Sequence, residues 1–333
     1  MPAKLEYEAI GSETDCGKIL NSLFTNKFRH GYVKVKGTVL PEYFVKFGDR
    51  IQQMDIRDDD IFVCSYPKTG TTWTQEMVWL IANDLDYKGA ETFLPERFPF
   101  LDHSPLFNYE SMYEEQPDFS VPDYVTDSVK FIDELKTRRF VKSHLALGLL
   151  PEQVQNFSTN AKVVYVCRNP KDTCVSYYHH CQLLEGYTGD FDTFCKLFLN
   201  DMLCFSPFWE SVLGYWKHRN NPNLLFLKYE DMKKDLPSVI RKTAEFLGKS
   251  FSDEQVSKLS HHLSFDSMKK NRAVNYEPVV EINKKYNLIE KDGTFMRSGS
   301  VGGWKGLMSQ DIIQQFDSWS ASKTAGSDFQ LVC

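Results

Sequence analysis

The sequence predicts an α/β fold: a single domain over residues 1–333, with a central, mainly parallel sheet flanked by helices on both faces. Two observations carry this. Short apolar runs alternate with amphipathic stretches along the chain, as strands alternate with crossover helices. Each apolar run also ends in a polar cluster, and open parallel sheets bind ligands outside the carboxyl ends of their strands. A length of 333 residues admits two domains of ~150 residues. The polar clusters, however, spread from residue 66 to 305 and converge on one sheet, which favours a single domain.

The first strong strand is Asp60-Ile-Phe-Val-Cys-Ser-Tyr66, which runs through Pro67-Lys-Thr-Gly-Thr-Thr72 into a helix from Trp73 to Ala82. Residues of about 101–136 hold Pro105, Pro117 and Pro122 among acidic and aromatic side chains, and read as a long irregular, lid-like insertion. A second strand is Arg139-Phe-Val-Lys142. A third is Lys162-Val-Val-Tyr-Val-Cys167, followed by a helix from about Pro170 to Leu184. A fourth is Leu224-Leu-Phe-Leu-Lys228, with a helix beginning near Tyr229. A glycine-rich loop, Met296 to Lys305, precedes a short helix near Ser309 to Trp319.

Composition bounds the partners. The chain is 42% hydrophobic and 25% charged, ordinary for a folded protein. With 39 basic against 45 acidic residues the net charge is −6, which argues against nucleic acid or a polybasic membrane anchor. No run approaches the ~18 apolar residues of a membrane span. The start, Met1-Pro-Ala-Lys-Leu-Glu-Tyr-Glu8, lacks the pattern of a secretory leader. Cys333 stands last rather than fourth from the end, so no prenylation box is present. The eight cysteines form no C-x-x-C pair and read as reduced thiols in a cytoplasmic protein. No metal-ligand spacing is found. His179-His180 and His261-His262 are adjacent pairs, and neighbours on a helix do not face one site.

Three motifs carry chemistry. In Tyr66-Pro-Lys-Thr-Gly-Thr-Thr-Trp73 the glycine permits close backbone approach and the turn feeds N–H groups into a helix N-terminus, a P-loop-like anion site. It is not the nucleoside-triphosphate loop, whose G-x-x-x-x-G-K-[ST] pattern is absent. Gly248-Lys-Ser250 only imitates its end, since Thr243 occupies the upstream glycine position. Lys142-Ser-His144 ends the next strand and offers a base suited to neutral pH, or simply a hydrogen-bonded structural histidine. Arg168-Asn-Pro-Lys-Asp-Thr-Cys-Val-Ser176 opens a helix at Asn169-Pro170 and offers a guanidinium for bidentate phosphate contact.

These motifs, with Tyr229-Glu-Asp-Met232 and Arg297-x-Gly299-x-x-Gly302-x-Trp-Lys305, stand in the order seen in cytosolic sulfotransferases, over roughly residues 40–320. The segment Gln75–Asn83 resembles insect members. The resemblance implies 3′-phosphoadenosine 5′-phosphosulfate as cofactor, released as adenosine 3′,5′-bisphosphate, with no metal. It implies that Lys68, Thr69, Gly70, Thr71, Thr72 and Trp73 hold the 5′-phosphosulfate. It further implies that Arg168, Ser176, Arg297 and the Ser298-Gly299 backbone hold the 3′-phosphate. Trp73 and Phe265 would sandwich the adenine, with Tyr229 at its edge. His144 would take the acceptor proton, and Lys68 and Lys142 would stabilise the leaving oxygen. By position, Phe44, Phe100, His103 and His180 would line the acceptor pocket beside His144. The acceptor implied is a small lipophilic alcohol or phenol, as in hormone or xenobiotic metabolism.

The chain departs from the family twice. Arg297-Ser298-Gly299 replaces the usual Arg-Lys-Gly, removing one cation, so weaker cofactor binding is expected. The run from Lys305 to Gln314 lacks the usual dimer segment, so dimerisation through it is not expected. Three other functions remain open at this point. One is elimination from a sulfonated allylic alcohol, a dehydratase activity. Another is a silent nucleotide carrier, disfavoured by Lys68 and His144. The third is a phosphotransferase, disfavoured by the missing loop. A Golgi carbohydrate sulfotransferase is disfavoured by the missing anchor.

Overall fold

The computed structural model describes residues 4–24, 27–289 and 291–331; Met1 and Cys333 lie outside the described residues. A four-stranded sheet forms the centre, in the order β5 (Phe140–Ser143), β4 (Ile61–Cys64), β6 (Lys162–Cys167), β7 (Leu224–Lys228), with every pairing parallel. The strands are mainly apolar, with lysine or serine only at or near their ends, because both faces are covered. Alternate side chains serve two separate cores. Phe62, Cys64, Val141, Val163 and Tyr165 join one. Ile61, Val63, Phe140, Val164 and Val166 join the other.

The helix Thr71–Ala82 packs on the second face through Met77, Val78, Leu80 and Ile81. The helix Pro170–His180 packs on the first through Cys174, Val175 and Tyr177. It starts where predicted, with the Asn169 side chain accepting from Lys171 N and proline in the first turn. It runs close to the predicted end, but its last turn, Cys181–Glu185, widens to π-helical geometry before Gly186 closes it. The C-terminal helix, Gln310–Thr324, starts where predicted, with Ser309 as its cap and Phe316 anchoring it in the first core, and runs about a turn further than predicted.

Two parts differ from the sequence reading. An antiparallel sheet of β1 (Glu8–Ala9), β2 (Tyr32–Val35) and β3 (Thr38–Pro41) precedes the central sheet. The 101–136 insertion is not irregular. It forms four short helices, His103–Leu106, Glu110–Glu115, Asp123–Thr126 and Ser128–Glu134, with Pro117 and Pro122 in the break between the second and third. Met112 and Phe119 pack with Leu288 and Ile289 in a third apolar cluster, so the insertion closes against the segment after helix Glu277–Lys285. Among the described residues no helix is long and apolar enough to cross a membrane, and the seven described cysteines form no disulfide.

Candidate active site

The carboxyl ends of β4, β5 and β6 and the start of the helix after β7 meet at one cavity of about 340 Å³. The loop after β4 supplies its first wall. Lys68 is held at φ 67° and Gly70 at φ 108°. A Cβ at Gly70 would lie 2.8 Å from the Tyr229 ring, so this position needs glycine both for backbone angle and for space. Non-glycine residues held at positive φ cluster at functional sites, as Lys68 is here. Gly70 is the N-cap of helix Thr71–Ala82, so unpaired backbone N–H groups and the positive end of the helix dipole face the cavity. Thr69 faces the other way: its hydroxyl donates to the Tyr66 and Val166 carbonyls. Its contribution to an anion is therefore restricted to the backbone.

His144 follows β5. Its Nδ1 lies 2.9 Å from the Ser65 carbonyl oxygen. A carbonyl only accepts, so Nδ1 carries the proton and Nε2 keeps its lone pair. Burial, with Lys142 nearby, holds the ring well below the usual histidine range, so it is neutral at pH 7. The ring sits between Phe100 and Phe205, at centroid distances of 5.1 and 5.4 Å. Asp102, which nothing in the sequence singles out, fixes the backbone here. It accepts from His144 N at 2.5 Å and from Ser143 Oγ at 2.8 Å. Burial raises its carboxyl to about 7 despite these hydrogen bonds.

Three cations converge. Burial, reinforced by Lys142 and Arg168, lowers Lys68 to about 7; burial lowers Lys142 to about 8. Each ammonium rests on aromatic faces instead of carboxylates. Lys68 Nζ lies 3.7 Å from the Phe295 ring centre, and Lys142 Nζ lies 4.0 Å from that of Phe100. Arg168 lies over Tyr229 at 4.4 Å and donates to the Ser300 carbonyl at 2.8 Å. Its Nε is buried with no hydrogen-bond partner, and so is Trp73 Nε1. Buried unpaired donors beside mutually repelling cations mark a place shaped for an anion.

The glycine-rich loop closes this end. Asp172 accepts from Gly302 N at 2.8 Å and from Trp304 N at 3.3 Å, tying the loop to the helix that carries Ser176. Asp172 is a second structural role invisible in the sequence. Ser176, Arg297, Ser298 and Gly299 line the cavity, and Gly299 abuts the Phe265 ring. Trp73 and Tyr229 meet edge to face at 5.6 Å, with Phe265 in the same wall.

Phe100, His103 and His180 line the cavity; Phe44 does not. Phe44 is 1% exposed and lies in the first core, because the 3₁₀ turn Glu42–Lys46 points it inward behind the His103–Leu106 helix. Sequence position alone could not separate these aromatics. Residues not foreseen complete the wall: Phe28, Phe107, Tyr109, Phe119, Tyr276 and Phe295. They come from the insertion and from segments far apart in sequence, so no local pattern announces them. Among the described residues no cluster of His, Cys, Asp or Glu could hold a metal ion.

A sulfotransferase domain model matches residues 58–328. Luciferin sulfotransferase of Photinus pyralis is 45% identical over 326 residues, covering 97% of this chain and 88% of that protein. Sulfotransferase 1E1 of Homo sapiens is 31% identical over 289 residues, covering 86% of this chain and 90% of that one. Among solved structures, retinol dehydratase in a complex with retinol and PAP is similar with a TM-score of 0.89 at 31% identity, covering 100% of both chains. A mouse sulfotransferase complexed with PAP reaches 0.67 at 25% identity, covering 89% of this chain and 95% of that one. The class defined by this fold and site is thus an α/β group-transfer enzyme with an anion-binding strand–loop–helix. The chain belongs to the cytosolic sulfotransferase family and is an enzyme of the sulfotransferase type.

Proposed function

We propose that this protein transfers the sulfuryl group of 3′-phosphoadenosine 5′-phosphosulfate to the hydroxyl of a small lipophilic alcohol or phenol. The observation that carries the reading is the neutral His144, with Nδ1 committed to Ser65 and Nε2 free, in one cavity with Lys68 and Lys142. Nε2 takes the hydroxyl proton as the acceptor oxygen attacks sulfur in line. The bond from sulfur to the bridging oxygen breaks, and Lys68, with Lys142, takes up the charge left on that oxygen. The helix N-terminus at Gly70, with Thr71 and Thr72, binds the 5′-phosphosulfate. Arg168, Ser176 and Arg297 bind the 3′-phosphate, with Ser298 a neutral hydroxyl where a further cation would tighten the grip. Trp73 and Phe265 stack on adenine, and Tyr229 meets its edge. Phe100, His103 and His180 contact the acceptor, under a lid formed by residues of about 101–136. The described cysteines, free thiols of which all but Cys16 are buried, suit a cytoplasmic protein.

A second reading is favoured by the similarity to retinol dehydratase at a TM-score of 0.89 against 0.67 for the mouse sulfotransferase. On an allylic alcohol the sulfate is a leaving group, and elimination yields a polyene plus free sulfate. One experiment separates the two. The protein is incubated with 35S-labelled cofactor and a panel of phenols, steroids, retinoids and catecholamines, and product masses are read. Label on a stable organic ester is the expected result. Label released as inorganic sulfate with loss of water from an allylic acceptor supports elimination, and label left on the nucleotide throughout overturns both.

A further inference from the structure

The cavity wall contains a buried charge relay that the transfer step does not use. Arg29 is 1% exposed, and its Nη1 donates to Glu185 Oε2 at 2.8 Å. Glu185 Oε1 lies 3.2 Å from His180 Nε2. The π-helical turn Cys181–Glu185 brings Glu185 back beneath His180, and both line the cavity. Burial alone would raise the Glu185 carboxyl, but the Arg29 charge and the His180 hydrogen bond outweigh it and hold it at about 2. It is therefore a carboxylate, which only accepts, and the proton on His180 sits on Nε2. Burial beside Lys68 lowers His180 to about 4, so the ring is neutral near pH 7. Nδ1 is then an unprotonated acceptor. It is buried and has no hydrogen-bond partner. A buried acceptor left unpaired keeps its full desolvation penalty. The neighbouring Phe295 ring, at 5.9 Å, offers no such donor.

We propose that His180, held in one tautomer by Glu185 and Arg29, selects acceptors that carry a second hydrogen-bond donor, a hydroxyl or N–H, besides the hydroxyl that receives the sulfuryl group. His180 is the specificity-determining residue; Glu185 and Arg29 are positioning residues. A molecule with one hydroxyl leaves Nδ1 unpaired, whereas a diol or hydroxy-amine fills it. Sites built to pair a substrate O–H discriminate strongly against analogues that lack it. The assignment rests on the sulfuryl-transfer reading above.

The test compares an aromatic diol with its monomethyl ether, which keeps the reacting hydroxyl and caps the other. Wild-type kcat/KM should favour the diol at least ~10-fold, chiefly through KM, since the second donor binds ground and transition states alike. His180→Phe should bring the ratio to within ~3-fold whatever its absolute rate, and His180→Asn, which keeps an acceptor oxygen, should restore part of it. The same two ligands titrated onto the complex with adenosine 3′,5′-bisphosphate should show the same preference without turnover. Equal kcat/KM for both in a wild-type protein that sulfates both overturns the selectivity and leaves the transfer reading standing. So does a preference that survives in His180→Phe. Absence of both transfer and binding overturns the two together.

Discussion

His144→Ala will lower kcat by ~10²–10⁴-fold while nucleotide affinity stays within ~2-fold. The ring's Nδ1 is occupied by Ser65, so Nε2 is the atom left to take a proton from an acceptor hydroxyl. The nucleotide ligands proposed here, Gly70 to Trp73, Arg168 and Arg297, belong to other segments, so removing the base leaves them in place. His144 is buried between Phe100 and Phe205, and alanine leaves a cavity of one ring. His144→Gln fills most of that volume without supplying a base, and should be as inactive. The check is steady-state kinetics with equilibrium nucleotide binding on both variants, and a thermal melt to confirm folding. A folded variant that keeps wild-type kcat removes His144 from the chemistry. Variants that fail only by unfolding would make it a structural histidine.

Lys68→Ala should act on both chemistry and binding. A positioned donor aimed at developing charge is worth ~3 kcal/mol, or ~10²-fold in kcat, when removed. In the proposed site Lys68 would also contact the ligand as a cation in the ground state, so cofactor affinity should fall as well. This distinguishes it from His144, whose loss moves kcat alone. In the free protein the lysine is disfavoured: burial and its cationic neighbours hold it near 7, and its ammonium faces Phe295. Alanine therefore removes a repulsion along with the catalytic charge, and Lys68→Ala should be no less stable than the wild type before ligand is added. A variant with unchanged kcat, or with kcat lowered and affinity unaltered, would show that Lys68 does not bridge the two roles.

The strands and the loop after β4 were legible because local physics governs them. A run such as Val163 to Cys167, apolar on both faces, has few alternatives to a buried parallel strand, and the turn through Gly70 tolerates no side chain against Tyr229. The antiparallel β1–β3 sheet was missed because its strands span only two to four residues and their pairing is set across the chain. The positive-φ turn at Lys36-Gly37 was its one local signal. In the site, residues next to strand ends, such as Lys68, His144 and Arg168, line the cavity as their place in the sequence suggests, whereas residues acting at a distance carry no local signal. Asp102 reaches His144 because residues 99–101 pair alongside the edge of β5, with Leu101 N on the Lys142 carbonyl. Asp172 reads as an acidic residue in a helix's first turn, yet its carboxylate holds the glycine-rich loop 130 positions later. Phe44 was misplaced for the converse reason: one turn of 3₁₀ helix decides whether an aromatic faces the cavity or the core.

The anion site is the central claim, and titration with adenosine 3′,5′-bisphosphate in EDTA tests it most directly. Lys68 at about 7 and Lys142 at about 8 are partly neutral in the free protein at pH 8. A bound anion favours their charged forms and raises both, so binding takes up protons. Affinity should therefore fall as pH rises from 7 to 9, and calorimetry at pH 8 in buffers of different ionisation enthalpy should show net proton uptake. Tight, magnesium-independent binding with that pH dependence is the predicted result. No binding in EDTA, or a preference for ATP with magnesium, would contradict the account.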